Sequence, residues 1–302
     1  MAKHPAATDI EQDLTQTLGR YTRLESWQMV SGGSIHQSYH VQSSTGQHFF
    51  IKTNHCSKAH TFTAEAQGLT ILRHALDKDN PLRTPQVISQ NTNATHAWLI
   101  LEYIPFRRGD AASQTKLGEG LALLHQHTAP QFGLDSDNVI GASPQTNAWT
   151  DDWQTFWQEQ RLGTQFELAK QHGFYDSFAK EAEQLFMRLP TLFKEHQPKP
   201  SLLHGDLWGG NAAADNQGNP IIFDPAVYYG DRECDLAMTE LFGGFSADFY
   251  AAYNHVYPLS DSYAQRKILY NLYHILNHAN LFGGTYIIQS KSMMQQLLHH
   301  TS

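Results

Sequence analysis

The chain has 302 residues, and its 21 basic and 29 acidic side chains give a formal net charge of −8. Hydrophobic residues make up 40% of the sequence and charged residues 17%, which is a globular composition and excludes a disordered chain. The length predicts about two domains, the negative charge argues against nucleic acid as the main partner, and no apolar run approaches the ~18 residues of a membrane span.

The first hundred residues are predicted to form a small α+β unit made mostly of antiparallel strands. Its elements, in chain order, are a helix over 8–20, strands within 27–52, a helix over 61–76, and strands over 86–89 and 97–103. The second helix is indicated by Phe62, Leu69 and Leu72, which recur at the spacing of one helical face. Turn-forming residues separate the strands from one another.

Beyond residue 103 the pattern becomes mainly helical. Residues 105–110 are predicted to be a polar linker, which divides the chain into an N-terminal lobe over 1–103 and a C-terminal lobe over 104–302. The elements expected in the second lobe are helices over 116–127, 151–172, 176–189, 236–242, 245–256 and 262–282, with strand and loop over 201–229.

The most informative stretch is LLHGDLWGGN at 202–211, which is followed by IIFDP at 221–225. An Asn stands five positions after Asp206, and Asp224 follows thirteen residues beyond Asn211. Kinase-like phosphotransferases need these groups in this order, because one Asp accepts or orients the proton of the acceptor hydroxyl while an Asn and a second Asp hold Mg²⁺ on the nucleotide phosphates. The spacing therefore predicts Asp206 as the catalytic base, with Asn211 and Asp224 as oxygen ligands of Mg²⁺.

Two charged residues of the N-terminal half supply further parts of such a site. Lys52 closes the strand predicted at 48–52 and is expected to reach the phosphates of ATP. Glu65 lies on the next predicted helix and is expected to pair with Lys52. A lone lysine at a strand end would indicate only a solvent-exposed side chain, but its position between a loop and this helix favours a nucleotide contact.

Two backbone segments complete the expected nucleotide site. Gly32, Gly33 and Ser34 lie between the first two predicted strands, where a glycine-rich loop would cradle the phosphates. The third glycine of the usual kinase pattern is missing, and this loop by itself would indicate a hairpin turn. Glu102 and Tyr103 end the last predicted strand just before the helical lobe, where the adenine-binding hinge is expected.

Further short blocks extend the pattern beyond the groups that phosphoryl transfer needs. They are LHGDLWGGN at 203–211, IFDPAVYYG at 222–230, FGGF at 242–245, residues 147–156 with Asn147, Trp149, Asp152, Trp153 and Phe156, Arg161–Leu162, and LNH at 276–278. On these blocks nearly the whole chain resembles the fructosamine kinase (ketosamine-3-kinase) family. The resemblance implies an α+β, bilobal, protein-kinase-like fold of the aminoglycoside phosphotransferase type. Its N-terminal lobe would be a small antiparallel sheet with one helix, and its larger C-terminal lobe mainly helical.

The resemblance also implies an activity, the ATP-dependent phosphorylation of the 3-hydroxyl of ketosamines with Mg²⁺ on the nucleotide. Ketosamines are the sugar–amine adducts of non-enzymatic glycation, and the phosphorylated adduct is unstable and releases the amine. The implied activity is therefore deglycation, with small-molecule ketosamines or glycated protein amines as substrates. It is left open whether a ribose-derived or a hexose-derived adduct is preferred.

Four residues matched by position have two interpretations each. The resemblance implies that the sugar of the acceptor stacks on the Trp208 ring. Aromatic packing alone equally allows Trp208 to be a core residue behind the loop. His278 is implied to face the acceptor pocket, with a core histidine as the alternative. Asp231 and Asp235 resemble an acidic anchor below the metal site, and a helix N-cap explains them as well.

The cysteines bear on compartment and regulation. The chain has only Cys56 and Cys234, too few for a disulfide framework, which favours the reduced cytoplasm. Several members of the family carry a cysteine in the glycine-rich loop, associated with disulfide-linked dimers, whereas Ser34 matches that position here. We therefore expect no thiol switch in this loop and, as the simplest state, a monomer.

The 18 histidines of the sequence invite a metal-site interpretation. Two pairs stand four residues apart, His36 with His40 and His274 with His278, and only the second lies in a predicted helix. Zinc sites usually have a third protein ligand, and nothing nearby supplies one convincingly. Ordinary core and surface histidines are the favoured interpretation.

Two other functions are compatible with the same sequence. The first is a kinase of another hydroxylated small molecule, such as an aminoglycoside, choline or a free sugar, because the fold and the catalytic loop do not fix the acceptor. The block at 147–156 and Trp208 favour a sugar-amine acceptor over these. The second is a pseudokinase that binds nucleotide without catalysis, which is disfavoured because every expected ionisable group is present.

Overall fold

The computed structural model describes residues 4–30 and 35–299. The strands of the N-terminal lobe are β1 Leu24–Val30, β2 Gln37–Ser43, β3 His48–His55, β4 Val87–Thr92 and β5 His96–Glu102. They form one antiparallel sheet in the order β1–β2–β3–β5–β4. Helix α1, Ala7–Leu18, and helix α2, Ala59–Ala75, pack on this sheet.

Successive side chains of a strand point to opposite faces of a sheet. Helices α1 and α2 pack on the two opposite faces. Ile100 of β5 is buried in one cluster with Ile10 of α1. Its neighbour Leu99 is buried on the other face, in a cluster with Phe62 of α2. The sheet is therefore covered on both faces, by α1 on one and by α2 on the other.

The C-terminal lobe is mainly helical. Its helices are α3 Ala111–Leu124, α4 Trp153–Phe156, α5 Thr164–Gln171, α6 Ala179–Phe193, α7 Glu233–Leu241, α8 Ala247–Val256, α9 Tyr263–Phe282 and α10 Thr285–His299, and a π-helical segment, Trp157–Gly163, joins α4 to α5. Its strands are β6 Phe106–Arg107, β7 Asn138–Ile140, β8 Ser143–Gln145, β9 Ser201–Leu203, β10 Ala212–Asp215, β11 Pro220–Ile222 and β12 Tyr228–Gly230. This architecture confirms the predicted α+β, bilobal fold class. The N-terminal lobe has two helices, α1 and α2, where the resemblance implied one, because the N-terminal segment 7–18 also packs on the sheet.

The segment predicted to be a linker forms part of a sheet instead. Arg107 of β6 pairs with Ala214 of β10, and β10 pairs in turn with β11. The prediction of a linker over 105–110 is wrong because a strand of two residues has no measurable period, and its partner lies a hundred residues away in the sequence. The lobe boundary after residue 103 stays a prediction.

Two helical regions differ from the prediction. Helix α10 was not predicted, because only Ser290, Met294 and Leu297 of its side chains are buried, which is a narrow stripe on a polar segment. The single helix expected over 151–172 contains the π-helical turn, a feature that apolar periodicity does not reveal. In the described part of the chain, no helix has the length and apolar character needed to cross a membrane.

Candidate active site

The loop between β9 and β10 carries His204, Gly205 and Asp206, and we call these three residues the HGD loop. Asp235, buried on α7, accepts hydrogen bonds from the backbone N–H groups of His204 at 2.7 Å and Gly205 at 2.8 Å. The Nε2 of His125, at the end of α3, lies 3.1 Å from the same carboxylate. These contacts favour the acidic-anchor interpretation of Asp235. Asp231 instead accepts the backbone N–H of Glu233 at 3.0 Å, which is a cap-like contact at the start of α7.

The His204 ring joins the HGD loop to the strand that delivers Asp224. Burial lowers the pKa of His204, so the ring is neutral. Its Nδ1 accepts the backbone N–H of Asp206 at 3.2 Å, and its Nε2 therefore donates to the carbonyl of Phe223 at 3.0 Å. One side chain thus links the backbone of Asp206 to the residue just before Asp224.

Gly205 allows the same two segments to touch. Its φ is +83°, and a Cβ built on it would lie 2.0 Å from the carbonyl oxygen of Ala226. The backbone N–H of Ala226 donates to the carbonyl of His204 at 2.8 Å. Only glycine satisfies both the left-handed conformation and this close approach.

Asp206 and Asn211 contact each other on the loop between β9 and β10. The Nδ2 of Asn211 donates to the backbone carbonyl of Asp206 at 2.9 Å and to its Oδ2 at 3.2 Å. Burial, together with the negative charge of Asp224, raises the pKa of Asp206 to about 7. A carboxylate with this pKa changes its protonation state near neutral pH.

A second group brings Lys52, Glu65 and Asp224 together across the two lobes. The Nζ of Lys52 lies 2.8 Å from Glu65 Oε1 and 2.5 Å from Asp224 Oδ1. Burial alone would lower the pKa of Lys52, but the charges of Asp224 and Glu65 outweigh it and raise this pKa above the ordinary value. The ammonium group is therefore charged, and it links helix α2 to the C-terminal lobe.

Glu102, which was predicted to belong to an adenine-binding hinge, ends β5, and Tyr103 follows it. The carboxylate of Glu102 accepts a hydrogen bond from Arg83 at 2.6 Å, and its backbone N–H donates to the carbonyl of Gln86 at 2.8 Å. The Tyr103 ring stacks on His40 with 3.8 Å between ring centroids. The Glu102 side chain and N–H therefore already have partners within the N-terminal lobe.

The glycine-rich loop, with Gly32, Gly33 and Ser34, lies outside the described residues. His36 follows it and was not predicted as a site residue. Its ring lies close to Lys52 and Asp224, and burial together with the Lys52 charge lowers the pKa of His36 to about 4. A neutral imidazole therefore lies beside the charged group, and its position two residues after the loop was the available sequence signal.

Trp208, Phe242 and His278 form what we call the aromatic face, next to the HGD loop. Trp208 is 40% exposed, which excludes the core interpretation. Its ring meets Phe242 edge-on at 6.4 Å, and Phe242 lies 5.2 Å from the half-buried ring of His278. A Cβ on Gly244 would lie 2.9 Å from the Cα of Gly209, so these glycines allow the Phe242 loop to approach. Phe242 was quoted in the FGGF block but was not predicted as a site residue.

The block at 147–156, which was predicted to favour a sugar-amine acceptor, is partly buried in the C-terminal lobe. Asn147, Trp153 and Phe156 are buried, and the two aromatic rings belong to the core of the C-terminal lobe. Their spacing as Asn, Trp and Phe therefore reflects packing and hydrogen bonding inside the lobe. Of the two features predicted to favour a sugar-amine acceptor, only Trp208 is exposed beside the HGD loop.

Within residues 4–30 and 35–299, neither histidine pair lies in a cluster of potential metal ligands. His274 is buried, and the Nδ1 of His278 contacts the His274 carbonyl at 2.7 Å. The candidate cluster in this range is instead His196 with Asp231 and Glu233. Its carboxylates already have partners, since Tyr270 donates to Asp231 and Arg266 binds Glu233 through two nitrogens.

Comparison with known proteins assigns the family. The model of the fructosamine kinase family matches residues 6–300. The chain belongs to the fructosamine kinase family. Among its relatives, a probable ketoamine kinase of Synechocystis is 46% identical over 290 residues, covering 96% of each chain. The probable ketoamine kinase YniA of Escherichia coli K12 is 39% identical over 291 residues, or 96% of this chain and 98% of YniA.

Solved structures agree with membership in the fructosamine kinase family. A candidate fructosamine-3-kinase from Haemophilus somnus has a TM-score of 0.87 at 31% identity and covers 96% of this chain and 97% of its own. The choline kinase LicA of Streptococcus pneumoniae, at 15% identity, a TM-score of 0.61 and coverage of 97% and 98%, shares the fold alone. Family and fold together make this fructosamine kinase homologue a kinase-type phosphotransferase, which implies the use of ATP.

Proposed function

We propose that this protein is an ATP-dependent kinase that phosphorylates the 3-hydroxyl of ketosamines, of the fructosamine or ribulosamine type, and thereby starts their deglycation. The observation that carries the proposal is the meeting of two groups at one cleft, Asp206 with Asn211 and Lys52 with Asp224. The family supports a kinase, and the names of the ketoamine kinase relatives favour this class of acceptor.

Asp206 is the proposed catalytic base. It accepts the proton of the acceptor hydroxyl as the hydroxyl oxygen attacks the terminal phosphoryl group. Asn211 donates to the Asp206 carboxylate and keeps it in one orientation. Asp235 and Gly205 fix the backbone of the HGD loop, so most of the rate enhancement comes from positioning.

The nucleotide is proposed to lie between the lobes. Lys52, held by Glu65, binds the phosphates of ATP. The backbone of Glu102 and Tyr103 would contact the adenine, and the loop at 32–34 would cover the phosphates. All of these contacts except the loop come from elements packed on the same sheet.

The donor set suits Mg²⁺. Asn211 uses its Nδ2 for Asp206, which directs its Oδ1 away from that carboxylate. The Asp224 side chain is 43% exposed, so it is open to the cleft. Amide and carboxylate oxygens are the hard ligands that Mg²⁺ prefers. We propose that Asn211 and Asp224 hold Mg²⁺, whose charge neutralises the phosphate oxygens of the nucleotide.

The aromatic face is the proposed acceptor site. The Trp208 ring offers an exposed surface next to Asp206, where the C–H side of a sugar can stack. The amine of a ketosamine is protonated at neutral pH, and a cation is attracted to aromatic faces. His278 closes the other end of this face beside Phe242.

The pH dependence of the reaction tests the role of Asp206. A catalytic base must be ionised, and the pKa of Asp206 is about 7. We therefore expect kcat/KM to fall as the pH drops below neutral, with the pH dependence of a single protonation. The measurement is kcat/KM with both substrates far below saturation, because this quantity reports the free enzyme. A flat profile through weakly acid pH would show that another group limits the rate.

A panel of acceptors with a Trp208→Ala variant tests the substrate class. We expect turnover of a fructosamine or ribulosamine but not of a free hexose, an aminoglycoside or choline, measured as ADP formed. Trp208→Ala is expected to raise the KM for the ketosamine by about fivefold, since one aromatic stacking contact is worth roughly 1 kcal/mol. The KM for ATP should not change.

Trp149→Ala is the matched control for this variant. Trp149 is 38% exposed, and its indole N–H donates to Asp135 on another surface. The Trp149→Ala variant should leave the KM for the ketosamine and the KM for ATP unchanged. Turnover of choline or an aminoglycoside alone would replace the ketosamine assignment with one of those acceptors, while ATP binding without any turnover would favour the pseudokinase.

We further propose that the protein acts in the cytoplasm as a monomer. Cys56 and Cys234 are both free thiols, which suits a reducing compartment. Light scattering behind a sizing column, with and without reductant, should give the mass of one chain in both cases.

A further inference from the structure

A buried cation lies behind the proposed active site and has no carboxylate partner among residues 4–30 and 35–299. Arg161 is fully buried on the π-helical segment, and it donates to the Thr146 carbonyl at 2.6 Å and to Asn147 Oδ1 at 2.8 Å. Its guanidinium carbon lies 3.9 Å from the ring centroid of Tyr228 and 4.6 Å from that of Phe156. Aromatic faces and neutral oxygens thus compensate a charge that is costly to bury.

Arg161 determines the direction of a chain of hydrogen bonds because a guanidinium has donors and no acceptor. Asn147 must turn its Oδ1 to Arg161, and its Nδ2 donates to Asn138 Oδ1 at 3.1 Å. Gln145 Nε2 donates to the same oxygen at 2.8 Å. Asn138 is left with its Nδ2, which donates to the carbonyl of Val227 at 2.7 Å. We call Arg161, Asn147, Asn138 and Gln145 the amide relay.

The amide relay also binds the carbonyl of Ala226, which is one residue nearer to Asp224 than Val227 is. Gln145 Nε2 also donates to the carbonyl of Ala226 at 3.1 Å, while its Oε1 accepts the Tyr273 hydroxyl at 2.8 Å. This Ala226 carbonyl is the group that lies against Gly205, and the Ala226 N–H is bonded to His204. The relay therefore holds the residue at which the HGD loop and the chain after Asp224 touch.

The backbone at this point needs such support. Asp224 has a φ of +57°, in the left-handed region that non-glycine residues rarely adopt. A residue in this conformation persists only when its surroundings hold it there. Ala226 and Val227 follow within three residues, and the relay binds both of their carbonyls.

We propose that the amide relay positions Asp224 against the HGD loop and that Arg161 is the positioning residue at its source. Arg161 acts through Asn147, Asn138 and Gln145, and touches neither acceptor nor nucleotide. The consequence is measured on metal and nucleotide, so this proposal rests on the proposed roles of Asp224 and Asp206. It does not depend on which hydroxyl compound is the acceptor.

Two variants interrupt the relay at opposite ends. Arg161→Lys keeps the charge but loses the fork that binds Thr146 and Asn147 together. Asn138→Asp keeps the size of a half-buried side chain but removes the donor to Val227. We expect each to raise the Mg²⁺ concentration needed for nucleotide binding by about tenfold, the loss typical of groups that orient a metal ligand. Calorimetric titration with a non-hydrolysable ATP analogue, without acceptor, measures this.

Arg266→Lys is the matched control. Arg266 is a buried arginine of the same lobe, but its partner is Glu233 and it touches neither Ala226 nor Val227. This control variant should lower the Tm about as much as Arg161→Lys while leaving the Mg²⁺ dependence of nucleotide binding unchanged.

In the two relay variants kcat should fall together with the affinity for Mg²⁺, and the KM for the acceptor should not change.

The proposal is overturned if the Mg²⁺ dependence of nucleotide binding is the same in Asn138→Asp and Arg161→Lys as in the unmodified protein, whatever happens to the Tm. It is also overturned if Arg266→Lys shifts that dependence equally, since the effect would then follow general stability. Failure of ketosamine turnover would count against the proposed function alone, because no acceptor is present in the titration.

Discussion

Replacing Asp206 with Asn is expected to lower kcat by about 10²- to 10⁴-fold, the contribution of a positioned general base. Asn keeps the size of the side chain and can still meet Asn211, so the metal–nucleotide complex should bind as before. Steady-state kinetics and calorimetric binding of an ATP analogue measure the two quantities. Loss of both together would show that Asp206 serves the nucleotide site and is not specific to proton transfer.

The same variant should be more stable than the unmodified protein at alkaline pH. The pKa of Asp206 is raised from the ordinary Asp value to about 7, so ionising it in the folded protein costs stability as pH rises through that range. Asn has no charge to bury beside Asp224. The Tm difference between variant and unmodified protein should therefore be positive at neutral and alkaline pH, shrink as the pH falls below about 7, and disappear only below the ordinary Asp pKa of 3.8.

Asp151→Asn is the control for both measurements. Asp151 is exposed and accepts a hydrogen bond from Gln131 at 2.8 Å, outside the candidate site. It should change neither kcat nor the pH dependence of the Tm. A Tm gain of equal size in Asp151→Asn would mean that the general negative charge of the chain, and not burial of Asp206, sets the effect.

Replacing Lys52 with Met is expected to abolish nucleotide binding and to lower the free energy of unfolding by about 3–5 kcal/mol, the cost of removing one partner of a buried ion pair. Glu65 would be left buried without its cation, and burial already raises the pKa of Glu65 to about 7. Asp224 would lose the charge that lowers its pKa. The loss of stability should be smaller in acid, where the carboxylates take up protons.

Chemical denaturation at two pH values measures the loss, and calorimetry measures nucleotide binding. Lys170→Met is the control, because Lys170 pairs with Glu167 at 2.7 Å in a pair that is about half exposed. An exposed pair contributes roughly 0–1 kcal/mol, so this variant should be nearly neutral. An equally small loss for Lys52→Met would mean that the Lys52–Glu65 pair is not the link between helix α2 and the site.

The sequence by itself predicted the parts of the site that depend on spacing along the chain. Asp206 and Asn211 stand five residues apart on one loop, so their contact follows from local geometry. Lys52 at the end of a strand run and Glu65 on the next helix pattern also predicted their own pairing, which is confirmed at 2.8 Å. This pairing was expected because a kinase-type site needs a glutamate on the helix after the lysine strand, and the apolar period of residues 61–76 was sufficient to place Glu65 on that helix.

Contacts between distant segments could not be predicted in this way. The pairing of Phe106–Arg107 with β10 joins residues a hundred positions apart, and neither segment has a long enough pattern to indicate it. Residues 147–156, with Asn147, Trp153 and Phe156, were predicted to favour a sugar-amine acceptor because they match a block of the family that the chain resembles. Burial, which composition does not report, makes them core and relay residues.

The sequence therefore determined the fold class, the family resemblance and the identity of the ionisable groups. Each of these depends on the period of apolar residues along the chain or on the spacing of motif residues. Tertiary structure alone decided how those groups influence one another. Asp224 lies close enough to raise the pKa of Asp206 only after the strands and loops of the C-terminal lobe have folded together. Lys52 lies close enough to lower the pKa of Asp224 only after the two lobes have packed. Electrostatic interactions act through space over a few ångströms, and the order of residues does not contain those distances.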